Sequence, residues 1–169
     1  RLGALPELTY EDLANPQYKG QICTRSGKHP YNLGLVASMI AHHGEEKTKT
    51  WLEGVKANLA RKPQGNDRAQ VKAVKEGLCN LALGNSYYLG KMLQDDEQKA
   101  WAESVYINFP NQQNRGSHIN VSGAVITKYA KNPDNALKLI EFMSETKAQN
   151  MYASVNMEYP VSKALSYQV

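Results

Sequence analysis

Tyrosine is the residue type whose number and placement stand out in this sequence of 169 residues. The chain has ten tyrosines and only two phenylalanines, and most of the tyrosines are expected to be half-buried packing residues. Tyr31 differs in context because it follows a predicted strand and a Ser-Gly turn. Tyr87 and Tyr88 follow a second predicted strand and the residues Gly84-Asn85-Ser86. These three phenols are the candidate site.

Phenols that converge on one point are suited to binding a hard cation. A free phenol has a pKa of about 10, so it is protonated and a poor ligand at neutral pH. A trivalent cation stabilises the phenolate and expels the proton, and the hard phenolate oxygen suits ferric iron better than copper(I) or zinc. The tyrosine cluster therefore predicts an Fe(III) site. On spacing alone, the alternative that Tyr87 and Tyr88 hydrogen-bond an organic ligand stays open.

Other polar side chains lie near the first of these tyrosines. Arg25 and Ser26 could hold an anion beside the metal, or they could form a polar turn. His29 could approach the site or cap the following helix, whereas His42-His43 at a predicted helix end favours interaction with the helix dipole. His118 lies in a predicted loop, with pairing to a remote ligand left open.

The two cysteines, Cys23 and Cys79, are too far apart to form a CxxC motif. They could be buried free thiols, and an oxidising compartment would favour a disulfide between them. Cys23 with His29 is the one thiol and imidazole pair that an enzyme could use. The sequence has no GxSxG motif, P-loop or GxGxxG motif, so catalysis is the less favoured interpretation.

Composition and charge narrow the class of protein further. The chain is 41% hydrophobic and 21% charged, which is enough apolar content for a buried core. Its net charge is +4, but the basic residues are interspersed with acids and form no arginine-rich arm or zinc-finger spacing. Nucleic acid is therefore not an expected partner. No apolar run approaches the roughly 18 residues that indicate a membrane span.

The chain alternates short predicted strands with amphipathic helices. Strands are predicted at 21–24, 78–84, 105–109 and 121–127. Helices are predicted to start at Pro30, at Asn66-Asp67 and at Asn132-Pro133, and Trp51, Val55 and Leu59 mark a further amphipathic helix. Thr9 with Asp12 predicts a capped short helix. This alternation predicts an α/β layered domain, in which ligands lie beyond the strand ends.

Three sequence runs resemble those of one family. They are CTRSGKHPYN at 23–32, ARKPQGNDR at 60–68 and LGNSYY at 83–88. Together they resemble the ferric-iron-binding proteins of the Fbp and Fut type, the extracytoplasmic components of ABC importers for Fe(III). The resemblance continues through HINVSG at 118–123 to EYPV at 158–161, so it covers nearly the whole chain.

The resemblance implies a type II periplasmic-binding fold, in which two α/β lobes close over the metal about a hinge. It implies that this chain is the C-terminal half of such a protein. Residues 1–113 would form the C-terminal lobe. Residues 114–169 would supply the hinge-crossing strand and helices that belong largely to the N-terminal lobe, the rest of which is absent.

The resemblance also implies the ligands, cargo and partners. The family's tyrosine triad corresponds to Tyr31, Tyr87 and Tyr88, and the cargo is Fe(III), with a synergistic anion such as carbonate. The implied partners are the missing N-terminal lobe and an ABC permease of the inner membrane. The implied periplasmic location favours a disulfide between Cys23 and Cys79. An organic anion or a polyamine as cargo of the same fold, and a pure interaction module, are the alternatives.

Overall fold

The computed structural model describes residues 7–161, which form two 3₁₀ helices, two short strands and seven α-helices. In chain order these are the 3₁₀ helices Glu11–Ala14 and Pro16–Tyr18, β1 (Ile22–Cys23), α1 (Pro30–His43), α2 (Glu45–Ala57), α3 (Asp67–Lys75), β2 (Leu81–Ala82), α4 (Ser86–Leu93), α5 (Lys99–Ala102), α6 (Pro133–Ser144) and α7 (Thr146–Asn156).

The strands form a small parallel sheet. Ile22 lies opposite Leu81, and Cys23 lies opposite Ala82. Leu59 adds a single parallel bridge to Ile22, so β1 lies between β2 and the chain that follows α2. Apolar side chains from the first 3₁₀ helix, α1, α2 and both strands form the main core: Leu13, Ile22, Leu35, Met39, Trp51, Val55 and Leu81. The predicted α/β class is confirmed.

Helices α1 and α3 begin where local sequence signals predict. His29 caps α1, because its Nδ1 accepts a hydrogen bond from the backbone N–H of Tyr31 at 3.3 Å, and a proline occupies the first helical position. The helix ends at Gly44, whose φ of 79° suits a residue without a Cβ. Asn66 caps α3 by accepting from the backbone N–H of Ala69 at 3.0 Å. These predicted starts are confirmed.

Two strand predictions, at 105–109 and 121–127, are wrong. Neither segment pairs with a strand within the part of the chain that the structure describes. Their β-branched and aromatic residues fit a pleated surface, but a strand also needs a partner backbone to accept its hydrogen bonds. Tyr106, Val121 and Val125 are 82%, 81% and 85% exposed, respectively. The two strands that do form are shorter than predicted.

Cys23 and Cys79 form a disulfide bond, so the predicted bridge is confirmed. Both residues are buried and pack with Ala73 in a second apolar cluster. Closing a loop between residues 56 positions apart stabilises the folded state by roughly 4 kcal/mol in the chain-entropy model. The bridge joins the first strand to the chain that enters β2.

The chain divides into two compact units, residues 1–120 and 121–169. The first contains the sheet and α1 to α5, and the second contains α6 and α7, which pack on each other. The division falls at the end of residues 1–120, and Arg115, Ser117 and His118 all contact residues of the first unit through hydrogen bonds or an ion pair. The assignment of these units to lobes stays a prediction. Every helix in residues 7–161 is too short or too polar to span a bilayer.

Glu11 connects three parts of the first unit. Its Oε1 lies 2.6 Å from His43 Nε2 and 2.6 Å from an Arg115 guanidinium nitrogen. Its Oε2 accepts a hydrogen bond from Asn111 Nδ2 at 2.9 Å. Burial opposes ionisation of the carboxyl, but the hydrogen bonds, led by that from Asn111, outweigh it and lower the pKa of Glu11 to about 2. The ionised carboxylate therefore stabilises this junction.

Replacing Glu11 by glutamine is expected to destabilise the chain by about 1 kcal/mol at neutral pH, through loss of charge-assisted hydrogen bonds. Because folding lowers the Glu11 pKa from its usual 4.5, its contribution is complete above that value and disappears as the pH falls through about 2. Urea unfolding of both proteins over this pH range measures the difference, which should shrink on acidification. Glu76→Gln, which removes an exposed ion pair with Lys72, is the control. A Glu11→Gln difference that is independent of pH contradicts the assignment.

Candidate metal centre

Tyr31 is positioned by the loop between β1 and α1. It lies in the first turn of α1, two residues after the capping residue His29. Asn32 fixes the preceding loop, because its Nδ2 lies within 3.0–3.1 Å of Thr24 Oγ1 and of the carbonyl oxygens of Arg25 and Ser26. The backbone that presents the Tyr31 phenol is thus tied to the end of β1.

Tyr87 and Tyr88 are positioned by the first turn of α4. Successive side chains of a strand point to opposite faces, so a neighbouring pair can share a direction only where the chain leaves the strand conformation. That happens here at Asn85, the residue before α4. The two rings stack with their centroids 4.2 Å apart and an interplanar angle of 28°. The helix start therefore presents both phenols on one side.

The structure brings the three phenols together. The hydroxyl oxygen of Tyr31 lies 2.9 Å from that of Tyr87 and 3.3 Å from that of Tyr88. This convergence follows from the sheet, since β1 and β2 run parallel and both chains leave it at the same edge. Three oxygens from two distant segments thus lie within hydrogen-bonding distance around Tyr31. Their role as metal ligands stays a prediction.

The pKa differs among the three tyrosine hydroxyls. The hydrogen bonds from Tyr87 and then Tyr88 lower the pKa of Tyr31 below its usual 10.0. Burial, together with the hydrogen bond to Tyr31, raises the pKa of Tyr87 and also that of Tyr88. Tyr31 is therefore the phenol of the three that ionises most readily.

A cationic side chain lies over each of the three rings. The Arg25 guanidinium is 5.1 Å from the centroid of the Tyr31 ring. Each ring of the stacked tyrosine pair has its own cation, with Arg68 5.7 Å from the Tyr88 ring and Lys91 5.5 Å from the Tyr87 ring. Positive charge at these distances favours a phenolate over a neutral phenol.

Arg25 is also held by an acidic partner that sequence analysis did not assign to the site. Its guanidinium donates to Asp67 Oδ1 at 2.6 Å, and the Asp67 side chain is only 2% exposed. Ser26 Oγ accepts a hydrogen bond from the backbone N–H of Lys28 at 3.2 Å. Both predicted anion-binding residues thus have protein partners, and an anion at Arg25 would share the guanidinium with Asp67. The anion site stays a prediction.

The histidines that were candidates for the site lie at different positions in the structure. His29 caps α1, with its ring 4.4 Å from the Tyr31 ring, and His43 pairs with Glu11 outside the tyrosine cluster. His118 hydrogen-bonds Asn120 at 3.2 Å. No group of three or more His, Cys, Asp or Glu side chains in residues 7–161 is arranged to hold a metal ion. A metal site in this range would therefore rely on tyrosine ligands.

Asp67 and Asn85 are the neighbours of the site that sequence analysis missed. The pair Asn66-Asp67 indicated a helix cap, and Asn66 alone fills that role. Asn85 Oδ1 accepts a hydrogen bond from Asn120 Nδ2 at 2.9 Å, which connects the start of α4 to the last residue of the first unit. The only sequence signal for Asp67 was its position as the acidic residue in the first turn of α3, and such a residue usually interacts with the helix dipole.

An α/β unit with a polar cluster at the exit edge of its parallel strands defines a ligand-binding protein rather than a structural module. The model of the family described as bacterial extracellular solute-binding protein matches residues 1–168. The chain belongs to this family. It is 48% identical over 155 residues to Iron uptake protein A1 of Synechocystis sp., covering 90% of this chain and 43% of that protein.

Solved structures agree with the family. The chain matches apo ferric ion-binding protein A of Pasteurella haemolytica with a TM-score of 0.94 and 58% identity, covering 98% of this chain and 52% of that one. It matches the Trichodesmium FutA structure with iron and citrate with a TM-score of 0.91 and 41% identity, covering 96% and 52%. The chain thus spans about half the length of its relatives, and the predicted type II periplasmic-binding fold is confirmed.

Proposed function

We propose that this chain is the C-terminal half of an extracytoplasmic protein that binds Fe(III) and delivers it to an ABC importer. The observation that carries the proposal is the approach of the Tyr31 hydroxyl to those of Tyr87 and Tyr88, at 2.9 and 3.3 Å. The phenols would line one wall of the cleft between two lobes. The other half of the protein would close over the metal and complete its coordination.

Charge and ligand type favour ferric iron as the cargo. Three phenolates would balance the charge of Fe(III), and hard oxygen donors prefer such an ion to softer metals. The cations over the three rings would reduce the cost of forming phenolates. The names of the relatives, which include iron uptake and ferric iron-binding proteins, support the same cargo.

An anion would complete the coordination sphere. Three protein oxygens leave positions free around an ion that usually binds six ligands, and carbonate is a suitable small anion. The Trichodesmium relative was solved with iron and citrate, which supports an oxygen-donor anion as a partner of the metal. Arg25 and Ser26 stay the candidate anion-binding residues of this half.

Transport rather than catalysis fits the chemistry of the chain. Cys23, the one candidate nucleophile with a nearby imidazole, is bonded to Cys79 and has no thiolate to offer. Binding and release of a metal require no bond to be broken in a substrate. The closed form would dock on the permease of an ABC importer, in the periplasm.

Addition of ferric nitrilotriacetate to the apo protein is expected to produce a broad visible phenolate-to-iron charge-transfer band. The measurement is a titration on the intact protein that carries this chain and, in parallel, on residues 1–169 alone. A band in the intact protein alone would mean that the other half is needed to hold the metal. No band in either sample contradicts iron transport and favours an organic anion or a polyamine as cargo, to be tested by calorimetry with citrate and spermidine.

A further inference from the structure

The carboxylate of Asp67 is buried and connects the two segments that carry the phenols. Its Oδ1 accepts from the Arg25 guanidinium at 2.6 Å, in the loop between β1 and α1. Its Oδ2 accepts from the backbone N–H of Asn85 at 2.7 Å, directly before α4. These partners lie 42 and 18 residues away in the sequence. One side chain at the start of α3 thus holds both tyrosine-bearing segments.

Each hydrogen-bonding partner of Asp67 lies next to one or two of the phenols. On one side, Arg25 lies over the Tyr31 ring at 5.1 Å. On the other side, Asn85 precedes the first turn of α4, which contains Tyr87 and Tyr88. Because the Tyr31 hydroxyl contacts those of the stacked pair, a shift of either segment would separate the phenols.

The geometry points to Asp67 as a positioning residue for iron binding, which holds the β1–α1 loop and the start of α4 at the spacing at which the three phenols converge. This inference rests on the proposed function. Asp67 is not itself offered as an iron ligand, because each of its oxygens already accepts a short hydrogen bond. Its charge also matters, since it compensates the Arg25 guanidinium, which is only 15% exposed. Removing one member of such a pair leaves a buried charge unpaired.

Asp67→Asn is the direct test, because asparagine keeps the volume and one acceptor but loses the charge and presents an amide N–H to one of its two donor partners, Arg25 or the Asn85 backbone. We expect iron affinity to fall roughly 10- to 100-fold, as for loss of a partner outside the ligand shell. We also expect a shifted and weaker charge-transfer band. Glu76→Gln removes an exposed carboxylate at the other end of α3 and should leave affinity and band unchanged.

A second variant covers the case in which Asp67→Asn does not fold. Arg25→Met with Asp67→Leu removes both charges, so neither is left unpaired, and it leaves no side-chain hydrogen bond between the two segments. We expect it to fold and to bind iron as weakly as Asp67→Asn. Folded variants that bind iron like the wild type, with an unchanged band, would overturn the inference.

Nuclear Overhauser effects between the rings of Tyr31 and Tyr87 in the apo protein give a readout that needs no iron. We expect these effects in the wild type and in Glu76→Gln, and their loss in both Asp67 variants. Retention of the effects in a folded Asp67 variant would overturn the positioning role. If the wild type shows the effects but binds no iron, the proposed function fails while the role of Asp67 in placing the phenols is decided separately.

Discussion

Replacing Tyr31 by phenylalanine is expected to reduce iron affinity by more than about 100-fold, beyond the range for residues outside the ligand shell. The Tyr31 hydroxyl is the one that lies within hydrogen-bonding distance of both other phenols. The phenol with the lowered pKa also gives up its proton at the smallest cost. On the proposed function, loss of this oxygen removes a ligand and also the hydroxyl that both Tyr87 and Tyr88 contact.

Tyr87→Phe and Tyr88→Phe are expected to weaken binding too, but less than Tyr31→Phe. Each substitution removes one phenolate but keeps the Tyr31 hydroxyl within hydrogen-bonding distance of the remaining phenol. Competition with citrate of known iron affinity measures the loss, and the intensity of the charge-transfer band reports the phenolates that remain. Equal affinity in Tyr31→Phe and wild type would exclude Tyr31 as a ligand.

Tyr106→Phe is the matched control for these variants. Tyr106 belongs to the same unit of the chain but is 82% exposed, and its hydroxyl has no partner among the hydrogen bonds of the described residues. We expect wild-type affinity and an unchanged band. Loss of iron in this control as well would mean that tyrosine content, rather than the cluster, governs the signal.

Local signals in the sequence were sufficient to predict where α1 and α3 begin. His29 and the following proline mark the start of α1, Gly44 marks its end, and Asn66 marks the start of α3. Each of these signals acts within a few residues, through a cap or a fixed backbone angle. Such effects do not depend on the rest of the fold, and they can therefore be predicted from one sequence.

Strand formation was harder to predict because it depends on a distant partner. The segments at 105–109 and 121–127 have the composition of strands, yet no described strand pairs with them. By contrast, residues 22–23 pair with residues 81–82 and are buried between helices. The same side-chain pattern thus gives a strand in one place and irregular backbone in another.

The candidate site shows the same contrast between features that the local sequence determines and features that depend on distant partners. The convergence of Tyr31 with Tyr87 and Tyr88 could be expected, because both segments follow parallel strands and such strands end at one edge. The role of Asp67 could not, since its partners Arg25 and Asn85 are distant in sequence. Nothing in the local sequence specifies which of two neighbouring polar residues caps the helix and which one turns inward.

Iron binding is expected to weaken steeply on acidification. Each phenol must lose its proton to become a ligand, and burial raises the pKa of Tyr87 and of Tyr88. Protons therefore compete with Fe(III) across the whole range below these pKa values, where affinity falls about tenfold per pH unit for every phenol that ionises on binding. With three such phenols, one pH unit changes the affinity by on the order of a thousandfold.

A measurement of proton release tests this dependence most directly. Potentiometric titration during iron loading, corrected for the protonation of the chelator, is expected to show about three protons released for each metal bound. Tyr88→Phe should release one fewer, and its affinity should depend less steeply on pH. An iron affinity, measured by competition with a chelator, that stays unchanged from about pH 7.5 to about pH 5.5 would contradict phenolate coordination. Proton release that is the same in Tyr88→Phe and in the wild type would instead assign the pH dependence to groups other than this phenol, because ligand ionisation ties the number of protons released to the number of phenols.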